Sequence, residues 1–144
     1  MMKKVFIGLA CFSCVVAAMS LGAMAHTAQG APVPDCTAAT TQARMNECAH
    51  EDFLAATAAY AASYQAVAGK LIPKQKDQFR RTQKLWIQYR TAACNFESSG
   101  VTGGSAQAMV KTQCDARMTR ARTAELEKLA SCQEGDLSCP RFKK

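Results

Sequence analysis

The sequence predicts an all-α domain of three main helices, an antiparallel hairpin plus a third helix, stapled by disulfides. Three observations carry this reading. Neither Gly nor Pro interrupts the alanine-rich stretch from about 41 to 68. A second stretch, opened by Pro73, repeats apolar residues at spacings of three and four. Six cysteines follow a leader-like amino terminus.

Residues 1–25 have the form of a cleavable signal peptide. Lys3 and Lys4 give a basic start, Val5 to Leu21 an apolar run, and Ala23-Met24-Ala25 a small-x-small exit. Cleavage before His26 removes Cys11 and Cys14 and leaves six of the eight cysteines. An even set in a small exported chain reads as three disulfides, each worth about 2–4 kcal/mol through the unfolded state. Loss of Lys3 and Lys4 lowers the net charge from +7 to +5. That balance is no nucleic-acid footprint, and no second apolar run suggests stable membrane insertion. The expected destination is the periplasm or the medium, as a monomer or weak dimer.

Residues 26–35 are small, polar and proline-bearing, and read as a flexible lead. The domain proper is expected over 36–140. In its first helix Met45, Ala49, Phe53, Ala56, Tyr60, Tyr64 and Val67 form one stripe, with Gly69 as the stop. Its alanines imply a close neighbour. The second helix should run from Pro73 to about Ser98, with Phe79, Thr82, Trp86, Tyr89, Ala93 and Phe96 as its inward seam. The short link makes the first two helices antiparallel neighbours. The break at Gly100-Val101-Thr102-Gly103-Gly104 precedes Ser105, a candidate cap for a third helix reaching about Ala130. Cys132 to Cys139 spans a tail loop, and 141–144 should fray. Six cysteines allow fifteen pairings. Local geometry favours Cys36–Cys48, Cys94–Cys114 and Cys132–Cys139; a cross-hairpin Cys48–Cys94 pair stays open.

Chemistry is sparse. The two histidines, His26 and His50, have no metal-ligand spacing around them, and no Cys-x-x-Cys survives cleavage. No nucleophile is positioned near His50, and a compact helical domain offers little groove for a carboxylate pair to cleave a sugar chain. No catalysis, metal or cofactor is expected. Arg90 stands four residues from both Trp86 and Cys94. It reads as a structural brace before a partner contact. Lys74, Lys76, Arg80, Arg81 and Lys84 give the second helix a basic face, solvated or facing an anionic partner.

The ordered set Thr41-Gln42-x-x-Met45-Asn46-x-Cys48-Ala49, Trp86-Ile87-x-Tyr89-Arg90-x-Ala92-x-Cys94, Gly103-Gly104-Ser105, Cys114 and Thr119-x-x-Arg122-x-x-x-Leu126 resembles the lysozyme-inhibitor LprI-like domain family. The likeness spans about Asp35 to Leu129. It implies a small exported helical domain held by disulfides, in a family named for a bacterial lipoprotein that inhibits lysozyme. The chain departs from the family pattern at Arg44, where an acidic residue is usual, and at Thr57, Tyr60 and Ala61, where an Asp and a Leu-Asn are usual. Cys132 and Cys139 look like an addition to four core cysteines.

With the resemblance added, the expected function is non-catalytic binding of another exported protein, with lysozyme the best target. The residues expected to carry it are Arg90, Glu97, Gly103, Gly104 and Ser105, gathered by a Cys94–Cys114 staple. The turn reads first as a tight turn with a helix cap; as a contact, its exposed N–H groups would meet an acidic group or insert in a partner's cleft. Because many lysozymes are basic, Glu47, Glu51, Asp52 and Glu97 are the acidic residues that would offset a net charge of like sign. The alternative is an envelope-associated protein that binds anionic polymer or lipid headgroups through Lys74, Lys76, Arg80, Arg81 and Lys84.

Overall fold

A computed structural model describes residues 36–133 and 135–143. The expected signal peptide and lead lie outside the described residues. Three long helices carry the fold, as the periodicity predicts: α1 (Gln42–Lys70), α2 (Pro73–Glu97) and α3 (Gln107–Ala130). Thr41 caps α1, its hydroxyl accepting from the Arg44 N–H at 3.2 Å. Pro73 opens α2 at a position where a missing N–H costs nothing. A short 3₁₀ turn, Ser99–Val101, follows it. Among the described residues three disulfides form, Cys36–Cys48, Cys94–Cys114 and Cys132–Cys139, the local set.

Gly69 does not end α1. It lies inside the helix, which runs on to Lys70 and stops because Leu71 and Ile72 are extended. A residue ahead of proline is pushed out of the helical region, so Pro73 sets this boundary.

The close neighbour of the alanine stripe is α3, not α2. Asp52 pairs with Arg120, the Ser63 hydroxyl donates to Glu127 at 3.5 Å, and Lys70 donates to the Ala130 carbonyl. Residue numbers climb together, so α1 and α3 run parallel. Their buried positions are mostly small: Ala49, Ala56 and Ser63 on one side, Ala116, Thr119 and Thr123 on the other. Small side chains let the backbones approach. The helix α2 is antiparallel to α1, as expected, but is held off by rings. Tyr64 stacks on Phe79 at 5.1 Å and Tyr60 on Trp86 at 5.3 Å.

The seam of α2 is rotated from the expected one. Phe79, Gln83 and Cys94 are buried, and Trp86 and Arg90 are half-buried between them. Thr82, Tyr89 and Phe96 face solvent. Two stripes with three-four spacing overlap on this helix, and periodicity alone cannot choose between them.

Val67, Ala68, Leu71, Phe79 and Leu126 form the core cluster near the α1–α2 link. Burying a residue such as Leu71 or Leu126 contributes about 1.5–3 kcal/mol. Phe142 packs against this cluster, bridges Leu71, and is fixed further by the Lys143 N–H donating to the Lys70 carbonyl at 2.7 Å. The tail is therefore docked through Lys143, where fraying was expected from 141. Its apolar ring gains more by covering Leu71 than by staying in water.

Burial raises the Tyr60 phenol above the ordinary value of 10.0, against the pull of Arg122 and Arg90. A raised folded-state value favours the protonated phenol. Its contribution to stability is whole below pH 10 and is lost as pH climbs through the folded value. We expect a difference titration against Tyr60→Phe, followed by ultraviolet absorbance, to show this phenol ionising later than a free tyrosine. Ionisation at the free value would mean that the Tyr60 ring is solvated.

Candidate protein-binding surface

The end of the bundle where α2 turns into α3 is tied by a disulfide, ion pairs and hydrogen bonds. The Cys94–Cys114 bond joins the two helices with 5.5 Å between Cα atoms. One turn below, the Arg90 head lies between aromatic faces, 5.1 Å from the Phe53 ring centre and 5.2 Å from that of Trp86. Its Nη1 donates to the Thr119 hydroxyl at 2.9 Å. Its Nε stands 3.3 Å from Asp115 Oδ1, an ion-pair contact without hydrogen-bond alignment. Lys111 pairs with the other Asp115 oxygen at 2.7 Å. The Arg90 side chain is only 15% exposed and that of Asp115 only 8%. Arg90 is thus the brace that joins all three helices, and it does not sit on the surface with the turn residues.

The turn is held from α1. Gln42 Nε2 donates to Asn46 Oδ1 at 2.9 Å, and Asn46 Nδ2 donates to the Ser105 carbonyl at 3.1 Å. Gly103 has φ +78°, a conformation that favours glycine. Its N–H donates to the Gln107 side chain at 2.8 Å, and the Gly104 N–H donates to the Val101 carbonyl at 3.0 Å. These two groups are satisfied internally, so the turn is no anion nest. Ser105 does not cap α3. The N-cap position is Ala106, without a side-chain bond, and Gln107 reaches back instead. Gly103, Gly104 and Ser105 are nevertheless exposed, as a rigid knuckle.

Glu97, beside this knuckle, pairs with Arg117 at 2.6 Å on the surface. Glu47 pairs with Arg44 and Asp52 with Arg120, so much of the expected acidic patch is locally neutralised. Exposed pairs of this kind are weak and exchangeable. Of the basic face, Lys74, Arg80, Arg81 and Lys84 are exposed and Lys76 is half-buried.

Two features escaped the sequence reading. Asp115 is the buried counter-charge of Arg90; its position four residues after Lys111 was the available signal. Leu85, Tyr89 and Phe96 form an exposed apolar stripe, 65%, 63% and 82% accessible. Their spacing of four and seven places them on one face of α2, which ends at the knuckle. Phe96, assigned to the core from sequence, is its most exposed member.

The family model described as lysozyme inhibitor LprI matches residues 35–126. The chain belongs to the LprI family. That match takes in the Gln42 and Asn46 ties, the Trp86–Arg90 brace, the four cysteines of the first two disulfides, and the knuckle. Within the match, Cys94, Cys114, Thr119 and Leu126 are buried, and Asn46 ties α1 to the Ser105 carbonyl. An uncharacterized protein of Rhizobium meliloti (strain 1021) is 32% identical over 116 residues, covering 72% of this chain and 84% of the relative. No solved structure matches the chain. The LprI family is described as one of lysozyme inhibitors. Among the described residues no acidic, cysteine or histidine cluster is set to hold a metal, and no helix is long and apolar enough to cross a membrane.

Proposed function

We propose that the domain is an exported, non-catalytic inhibitor that binds a peptidoglycan-cleaving lysozyme in the periplasm or outside the cell. LprI membership supports the target class. The observation that carries the surface is Phe96, an exposed ring beside a knuckle made rigid by a disulfide and three helices. Large aromatic side chains on preorganised frames are the usual anchors of binding energy. In this reading Phe96, Glu97, Gly103, Gly104 and Ser105 touch the enzyme, and Arg90 positions them from behind. An apolar anchor also suits a partner whose net charge has the same sign.

A lysozyme clearing assay with the purified domain tests this directly. We expect inhibition at near-stoichiometric ratio, with modest salt dependence. Phe96→Ala should weaken it by about 2 kcal/mol, some thirtyfold, without loss of fold. No inhibition and no calorimetric binding at large excess would end the proposal. Retention on isolated envelope that falls steeply with salt, and is lost on charge reversal of Lys76, Arg80 and Arg81, would favour the basic face instead.

A further inference from the structure

On another side of the molecule, α1 and α2 leave an open groove of about 660 Å³ between them. The aromatic pairs that hold the two helices apart create it. Its walls are Tyr60, Ala61, Tyr64 and Ile87, and its rim carries Arg80 and Lys84. No carboxylate lines it. Lys84 has no ion-pair partner among the described residues, and Arg80 touches only Asp77, at 3.5 Å, with both side chains more than half exposed. Gln83 also lines the groove and is only 3% exposed. Its Oε1 accepts from the Tyr60 hydroxyl at 3.3 Å and from Arg122 Nε at 3.1 Å. Its Nε2 is a buried donor without an acceptor.

We propose that this groove binds a single-chain carboxylate amphiphile, with the chain along Tyr60, Ala61, Tyr64 and Ile87 and the head at Arg80 and Lys84. The volume lies in the range of small-molecule sites. From Arg80 to Gln88 the groove runs about 12 Å along the helix, room for a head at Arg80 and Lys84 and the first part of a medium-length acyl chain. The two rim cations ask for an acceptor-only, negative head. This differs from attraction of a polyanion to a basic face, because it requires the apolar walls.

Decanoate is the probe, with decanol as its uncharged counterpart. Calorimetry on the intact domain should show saturable one-to-one binding of decanoate, with decanol weaker by about tenfold, the effect of two partly exposed ion pairs. Ala61→Trp fills the groove at an exposed position, leaves the charge unchanged, and should abolish binding. Should that variant fold poorly by circular dichroism, Ile87→Glu puts a repelling carboxylate on the wall and should do the same. Arg80→Gln with Lys84→Gln should bring decanoate down to the affinity of decanol. Absence of saturation below the micellar range overturns the proposal. So does undiminished binding by a folded groove-filling variant, or equal affinity for acid and alcohol in the wild type.

Discussion

Arg90→Ala will lower the unfolding free energy by about 3–5 kcal/mol, the range for breaking a buried ion pair from one side. The charge left behind is Asp115, 8% exposed and unable to recover its water. Lys111 remains at 2.7 Å, itself 36% exposed, so the loss should fall toward the lower end. The same substitution empties the space between Phe53 and Trp86 and leaves the Thr119 hydroxyl without its donor. Arg90→Lys should rescue little, because an ammonium cannot lie flat between two rings while donating sideways. Replacing Arg90 by Met together with Asp115 by Leu should restore most of the stability, since the desolvation cost of both charges disappears. Urea unfolding followed by Trp86 fluorescence reads all three variants, this being the chain's single tryptophan. A loss under about 1 kcal/mol for Arg90→Ala would mean that the cluster is hydrated and not a brace.

Trp86→Ala is the second large effect, about 3 kcal/mol, the low end for removing a buried aromatic because the ring is half-buried. Its ring stacks on Tyr60 and carries the Arg90 head. Since α2 meets α1 through rings and not through close backbones, this deletion leaves a gap that the helices can close only by shifting. Trp86→Phe keeps a stacking surface and should cost about 1 kcal/mol. Circular dichroism in urea measures both. Near-neutral behaviour of Trp86→Ala would place the ring at the surface and transfer the spacer role to Tyr64 and Phe79.

The two substitutions bear on the proposed inhibitor in a way that Phe96→Ala does not. Phe96→Ala removes a contact and leaves the frame. Arg90→Ala loosens the frame and leaves every proposed contact residue in the chain. A domain that stays folded below its new transition but loses inhibition after Arg90→Ala would show that the knuckle must be rigid to bind.

Helix existence was legible because local preference and punctuation agree. Alanine favours α1, Pro73 begins α2, and the glycine-rich break separates α2 from α3. The disulfides were legible as a preferred set because each bond joins cysteines that are consecutive along the chain, 12, 20 and 7 residues apart. The Trp86–Arg90 brace was half legible, as an arginine one turn from an aromatic; its counter-charge on another helix was not. Family membership was also legible, since it rests on an ordered set of residues along the chain.

Tertiary structure alone decided which faces meet. The α2 pattern supports an inward seam through either Tyr89 and Phe96 or Gln83 and Arg90, and both have helical spacing. The second was chosen because Arg90 finds Asp115 and Gln83 finds Arg122 across the bundle, partners that no local rule pairs. The same choice turned Leu85, Tyr89 and Phe96 outward and so made a surface from what reads as core. Parallel packing of α1 on α3 was likewise beyond sequence reach, because a stripe of small residues specifies close approach but not to whom. Local energies of the chain determine where helices begin and end. Long-range pairing of charges and rings determines which side of each helix is the inside.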